Sequence, residues 1–67
     1  MSVARVTEII SRSNKSFHDA IENGIARANK TLKQVEGAWV KDQSIILDDG
    51  KIKEYQVVLK VTFILKD

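Results

Sequence analysis

From Phe17 to Val35 the apolar residues return at helical spacing: Phe17, Ala20, Ile21, Ile25, Ala28, Leu32 and Val35, with Gly24 and Thr31 on the same stripe. Recurrence every three or four positions lines up one face, so the pattern predicts an amphipathic helix. Several N-cap candidates precede it in SRSNKS, and Ser16 with Asp19 three residues on approximates a capping box, the acidic side chain lying near the positive end of the helix dipole. Gly37 stands where the helix can stop. Upstream, VARVTEII over residues 3–10 is rich in β-branched types and reads as a first strand. Downstream come two further apolar runs, Ala38 to Leu47 and Ile52 to Leu65, joined by DDGK. An Asp-Gly pair between such runs signals a tight hairpin, because Gly accepts the positive φ that the turn needs. The predicted order is β-α-β-β, an α+β fold.

A hairpin closed at Asp49 and Gly50 sets a register in which Leu47 faces Ile52, Gln43 faces Gln56, Lys41 faces Val58 and Trp39 faces Lys60. Directly opposed residues share a sheet face. One face then carries Val40, Asp42, Ser44 and Ile46 with Tyr55, Val57, Leu59, Val61, Phe63 and Leu65. That unbroken apolar run on the last strand needs the helix as its cover. The opposite face carries Trp39, Lys41, Gln43, Ile45 and Leu47 with Gln56, Val58, Lys60, Thr62 and Ile64. Trp39, the chain's one tryptophan, therefore points away from the helix, in the polar stretch EGAWVKDQ. A mixed surface of this size reads as an interface or a ligand site, and aromatic side chains are enriched at subunit interfaces as well.

Composition sharpens this picture. At 67 residues the chain is one domain, 1–67, and folds of this length bury only about 60% of their unfolded surface, so oligomerisation is expected to supply the missing stability. There is no cysteine and one histidine, which excludes a disulfide framework and the usual structural zinc sites. Neither a signal-peptide h-region nor a long apolar run is present, so the expectation is a cytoplasmic protein with no membrane association. Eleven basic and nine acidic residues nearly balance, well short of a strongly cationic nucleic-acid binder.

Candidates for other chemistry are few. His18 falls on the polar side of the helix pattern with no partner nearby, and no nucleophile and base pair suggests itself, so no catalytic residue is assigned and the protein is not expected to be an enzyme. Asp48 and Asp49 lack the ligand count of a calcium loop and are explained by turn formation; no metal ligand is assigned. Lys51, Lys53, Lys60 and Lys66 could form a basic strip for RNA. Without a stacking pair of aromatics they read as a solvated edge that resists aggregation, and no nucleic-acid partner is expected.

Over nearly its whole length the chain resembles the dodecins. The resemblance is carried by the opening strand VARVTEII, the polar turn SRSNKSF, the helix face AIENGIARANKTL and the closing strand EYQVVLKVTFIL. It implies a three-stranded antiparallel sheet partly wrapping one helix, assembled into a hollow homododecamer that binds a flavin, FMN or riboflavin, for storage or sequestration. In flavin-binding members a tryptophan of the second strand stacks on the ring, and a glutamine after an aromatic on the third strand hydrogen-bonds its polar edge. Gln56, after Tyr55, matches that glutamine. Aligning TLKQV without a gap puts Gly37 at the usual tryptophan position, and Trp39 falls two residues later, on the same face about 7 Å along. The cofactor-binding residues implied are thus Trp39 and Gln56, brought together from different subunits. The alternative is a flavin-free dodecin-like assembly that binds calcium or other small ions, since some members without the stacking tryptophan are described so. A small RNA-binding module comes third.

Overall fold

The computed structural model describes residues 2–65. β1 (Ala4–Ser13), α1 (Phe17–Thr31), β2 (Val35–Asp48) and β3 (Lys51–Ile64) follow in the expected order. They form one antiparallel sheet with β3 in the middle, ordered β1-β3-β2. β1 and β2 both run antiparallel to β3, so α1 links two parallel strands that leave a gap for the third, a split β-α-β arrangement.

The central strand holds the core. Val57, Leu59 and Val61 are 0%, 1% and 0% exposed, every second residue of β3, as a strand covered on one face requires. Against them α1 presents Ala20, Gly24 and Ala28, a line of small residues one turn apart. Their size sets the spacing between the layers. A Cβ added at Gly24 would stand 2.9 Å from Leu59 Cδ1 and 3.1 Å from Ser11 Cβ, so the helix can lie this close only with glycine there. Ile9, Phe17, Ile21, Ile25, Leu32 and Val35 close the rim, with Phe17 edge-on to Tyr55 at 5.1 Å between ring centres.

Ser16 is the N-cap, its Oγ accepting from the Asp19 N–H at 2.9 Å. The return arm of a capping box is relayed instead of direct. Ser13 Oγ donates to Asp19 Oδ2 at 2.6 Å and accepts from the Ser16 N–H at 3.4 Å and the Lys15 N–H at 2.9 Å. Asp19 is a residue too short to reach back by itself, and the buried Ser13 spans the gap. Ser16→Ala is expected to lower stability by about 1 kcal/mol, while Ser16→Asp, another good cap, retains it; thermal melts of the two variants check this.

Three boundaries differ from the sequence pattern: the end of β1, the end of α1, and the start of β2, which lies at Val35 and not Ala38. β1 runs on to Ser13, because the polar Ser11–Ser13 segment pairs with Val57 to Tyr55 of β3. The helix ends at Thr31, well short of Gly37, with the Leu32 N–H bonded to Ala28 O. Gln34 takes a positive φ of 58° to turn the chain, and its carbonyl accepts from the Ile64 N–H. Leu32 and Val35 continue the apolar stripe because they are packed on the same core, one from the connecting turn and the other from β2.

The β2–β3 hairpin closes at Asp49 and Gly50, whose φ values of 53° and 75° are those of a tight turn with two left-handed residues. Its register is irregular. Leu47 faces Ile52 as expected, but a shift at Lys53 then pairs Ile45 with Tyr55, Ser44 with Gln56, Gln43 with Val57 and Asp42 with Val58. A second shift at Lys41 restores the expected alignment, with Val40 facing Leu59 and Trp39 facing Lys60. The expected pairs Gln43–Gln56 and Lys41–Val58 are therefore absent. Between the two bulges the faces of β2 are exchanged, so Gln43 and Ile45 lie on the helix side with Val57 and Tyr55, and Asp42, Ser44 and Ile46 lie on the other. A one-residue slip inverts a strand's faces, and two opposed bulges confine the inversion to the middle of β2.

The strands also overrun the helix. Fourteen-residue strands extend roughly 46 Å and a fifteen-residue helix roughly 22 Å, and the long dimension of the chain is 50 Å. α1 covers β1 and β3 and barely reaches β2. The hairpin end is left uncovered, with Ile45, Leu47 and Ile52 at 46%, 60% and 53% exposure.

Candidate functional site

The sheet face turned away from α1 is organised in cross-strand rows. One row is Glu8, Lys60 and Trp39, taken from β1, β3 and β2. Lys60 Nζ lies 3.1 Å from Glu8 Oε1, and Lys41 Nζ, carried to the same face by the bulge, lies 3.3 Å from that oxygen. Two ammonium groups thus share one carboxylate beside the indole. The Glu8 carboxyl is held below its ordinary range by the hydrogen bond from Lys60 first and by Lys41 second. The cluster is therefore intact at neutral pH and is lost only as pH falls through that lowered value. Trp39 itself is 52% exposed, a large apolar plate with no cover in the single chain.

A second row is Arg12, Gln56 and Ser44. Arg12 Nε donates to Gln56 Oε1 at 2.7 Å, and Gln56 Nε2 reaches Ser44 Oγ at 3.5 Å. Between the two rows lie Ile10, Val58 and Asp42, so two aliphatic side chains form the floor from the indole to the amide. Four residues of β3 separate Lys60 from Gln56, roughly 13 Å along the strand. Trp39 and Gln56 share a face, yet one chain does not bring them together.

The expected membership of this face changes with the register. Gln43 and Ile45 leave it, and Asp42, Ser44 and Ile46 join it. Its exposed apolar surface comes instead from Trp39, Val6 and Ile10. Arg12 and Glu8, the partners of Gln56 and Lys60, carry no local signal. No turn joins β1 to β3, so their pairing is a long-range choice that periodicity does not set.

The remaining candidates take simple structural places. His18 Nε2 lies 3.0 Å from Glu22 Oε1 on the exposed side of α1. Asp48 and Asp49 make the hairpin turn, and among the described residues no three His, Asp or Glu side chains converge on a metal-sized site. Lys53 sits at a bulge, Lys60 is paired with Glu8, and Lys66 lies outside the described residues. Among the described residues no helix is long and apolar enough to cross a membrane. An open groove of about 530 Å³ between α1 and β1 is lined by Ile9, Gly24, Arg27, Ala28 and Leu32, and neither Trp39 nor Gln56 borders it.

The β-α-β-β chain has close counterparts among known proteins. The Dodecin family model matches residues 3–66. The chain belongs to the dodecin family. A dodecin of Thermus thermophilus is 35% identical over 65 residues, which cover 97% of this chain and 94% of the relative. The solved dodecin from Streptomyces davaonensis superposes with a TM-score of 0.93 at 38% identity, covering 98% of this chain and 97% of that one. The dodecin of Streptomyces coelicolor does so with a TM-score of 0.94 at 30% identity, covering 98% and 94%. The dodecin fold, one helix on a three-stranded antiparallel sheet, is thereby confirmed for this sequence.

Proposed function

We propose that this dodecin is a flavin-binding protein, one domain over residues 1–67, assembled as a closed homododecamer in the cytoplasm and serving to store or sequester FMN or riboflavin without chemical turnover. The observation that carries the reading is the outer sheet face, where a half-exposed indole and a hydrogen-bonding amide flank an aliphatic floor. A flat aromatic ligand fits this surface. The indole offers a stacking platform and a route for quenching the excited state, and the amide offers a polar edge.

Assembly follows from the same geometry. Trp39 and Gln56 stand about 13 Å apart in one chain, so the pocket takes Trp39 from one subunit and Gln56 from another. The uncovered hairpin end and the outer face supply apolar surface for such contacts, and closed symmetry is the usual outcome for a homo-oligomer. The two-residue displacement of Trp39 relative to Gly37 keeps the indole on the outer face, because Gly37 faces Thr62 and Trp39 faces Lys60, alternate positions of β3.

The test is a riboflavin titration of the purified assembly. Emission from both riboflavin and Trp39 is expected to fall together and to saturate, with light scattering giving the mass of twelve subunits. A monomer or dimer at micromolar concentration, or flavin emission unchanged at high protein concentration, overturns the proposal.

A further inference from the structure

Gln56 is held unequally at its two ends. Arg12 has only donors, so the amide atom 2.7 Å from its Nε must be the carbonyl oxygen, and the NH2 group is turned toward β2. There Ser44 Oγ is 3.5 Å away, a long and weak contact that a ligand can replace. A glutamine alone on a strand surface would sample several rotamers and both amide orientations. Beside Arg12 the amide is favoured in one orientation, its oxygen toward the guanidinium. Among the described residues Arg12 forms no ion pair, so the guanidinium is not drawn away by a carboxylate.

We propose that Arg12 is a positioning residue: it fixes the Gln56 amide with its oxygen toward β1 and its N–H groups toward β2, and so decides which edge of a bound flavin the site accepts. The inference rests on the flavin-binding reading given above. A ring edge that carries donors and acceptors in a set order must match that orientation, with a ring carbonyl on the β2 side to receive the amide N–H. The charged donor also polarises the amide, which strengthens its free N–H as a donor to that carbonyl. Arg12 does this without touching the ligand.

A positioning role makes a demand that a structural role or a direct ligand contact does not. The effect of Arg12 must vanish when Gln56 is gone. Riboflavin affinities measured by fluorescence for the parent, Arg12→Ala, Gln56→Ala and the double variant form the required cycle. Arg12→Ala is expected to weaken binding about five- to tenfold, because the amide must then be ordered by the ligand itself. In the Gln56→Ala background the same change is expected to alter affinity less than twofold. Arg12→Lys, whose ammonium can donate to the same oxygen, is expected to keep most of the parent affinity, and it serves if Arg12→Ala fails to assemble. Comparisons are made between assemblies of equal mass by light scattering.

Equal affinity of Arg12→Ala and parent overturns the inference, as does an Arg12→Ala cost that persists undiminished without Gln56. A parent assembly that fails to quench riboflavin overturns the flavin reading, and this inference falls with it. A parent that quenches while Arg12→Ala is indistinguishable from it removes only the role of Arg12.

Discussion

Trp39→Ala is expected to weaken riboflavin binding about five- to hundredfold and to abolish the quenching of bound flavin. The magnitude follows from the cost of removing an aromatic platform under a stacked ring, about 1 to 3 kcal/mol in the analogous nucleobase case. The indole is half-exposed in the chain and has no packing role in its core, so the substitution leaves the β-α-β-β fold intact. Trp39→Phe keeps a ring on the same face and is expected to lose less affinity, though with less quenching. Gln56→Ala removes neutral hydrogen bonds at roughly 0.5 to 1.5 kcal/mol each and is expected to spare the quenching of whatever flavin remains bound. The two positions therefore differ in kind of readout as well as in size. If Trp39→Ala binds riboflavin as tightly as the parent, the indole is an ordinary interface residue and the stacking role is wrong.

The second large effect concerns the core. Leu59→Ala is expected to cost about 2 to 5 kcal/mol, because the side chain is 1% exposed and lies under Gly24 at the closest approach of helix and sheet. Stabilities near 0.05 to 0.15 kcal/mol per residue give a chain of this length only about 3 to 10 kcal/mol in all. The loss is a large share of that. A chemical denaturation midpoint close to that of the parent would mean that the α1–β3 contact contributes little; Lys51→Ala, at the exposed start of β3, provides the unaffected comparison. The small residues at Ala20, Gly24 and Ala28 explain the sensitivity, since a helix seated this close has no slack with which to fill the void.

Much of the fold is written in local pattern. The helical stripe from Phe17, the cap at Ser16, the Asp49–Gly50 turn and the alternation of Val57, Leu59 and Val61 are each short-range features whose physics acts within a few residues. They were legible for that reason. The helix end lies short of the stripe's end because the stripe reflects packing on the core, and Val35 packs there half-buried as strand just as well as it would as helix. The register of β2 went astray in its middle because a β-bulge has no strong mark in a sequence. Lys41 and Lys53 are unremarkable residues in an exposed ribbon, and only the pairing partners reveal that each is the extra one. Trp39 nevertheless pairs with Lys60, because the two shifts cancel before the indole is reached.

The candidate site divides in the same way. The placement of Gln56 on the face away from the helix was determined by the chain itself through the period-two alternation of β3, whereas Trp39 shares that face only because the two bulges of the hairpin cancel before it. The partners that give the site its chemistry were decided only by tertiary structure. Arg12 meets Gln56 across 44 positions of sequence, and Glu8 gathers Lys60 and Lys41, because β1 pairs with the last strand and not with its neighbour in sequence. Nothing local encodes that choice. It is made by the burial of β3 between two strands and beneath a helix, a gain that exists only when all four elements have come together.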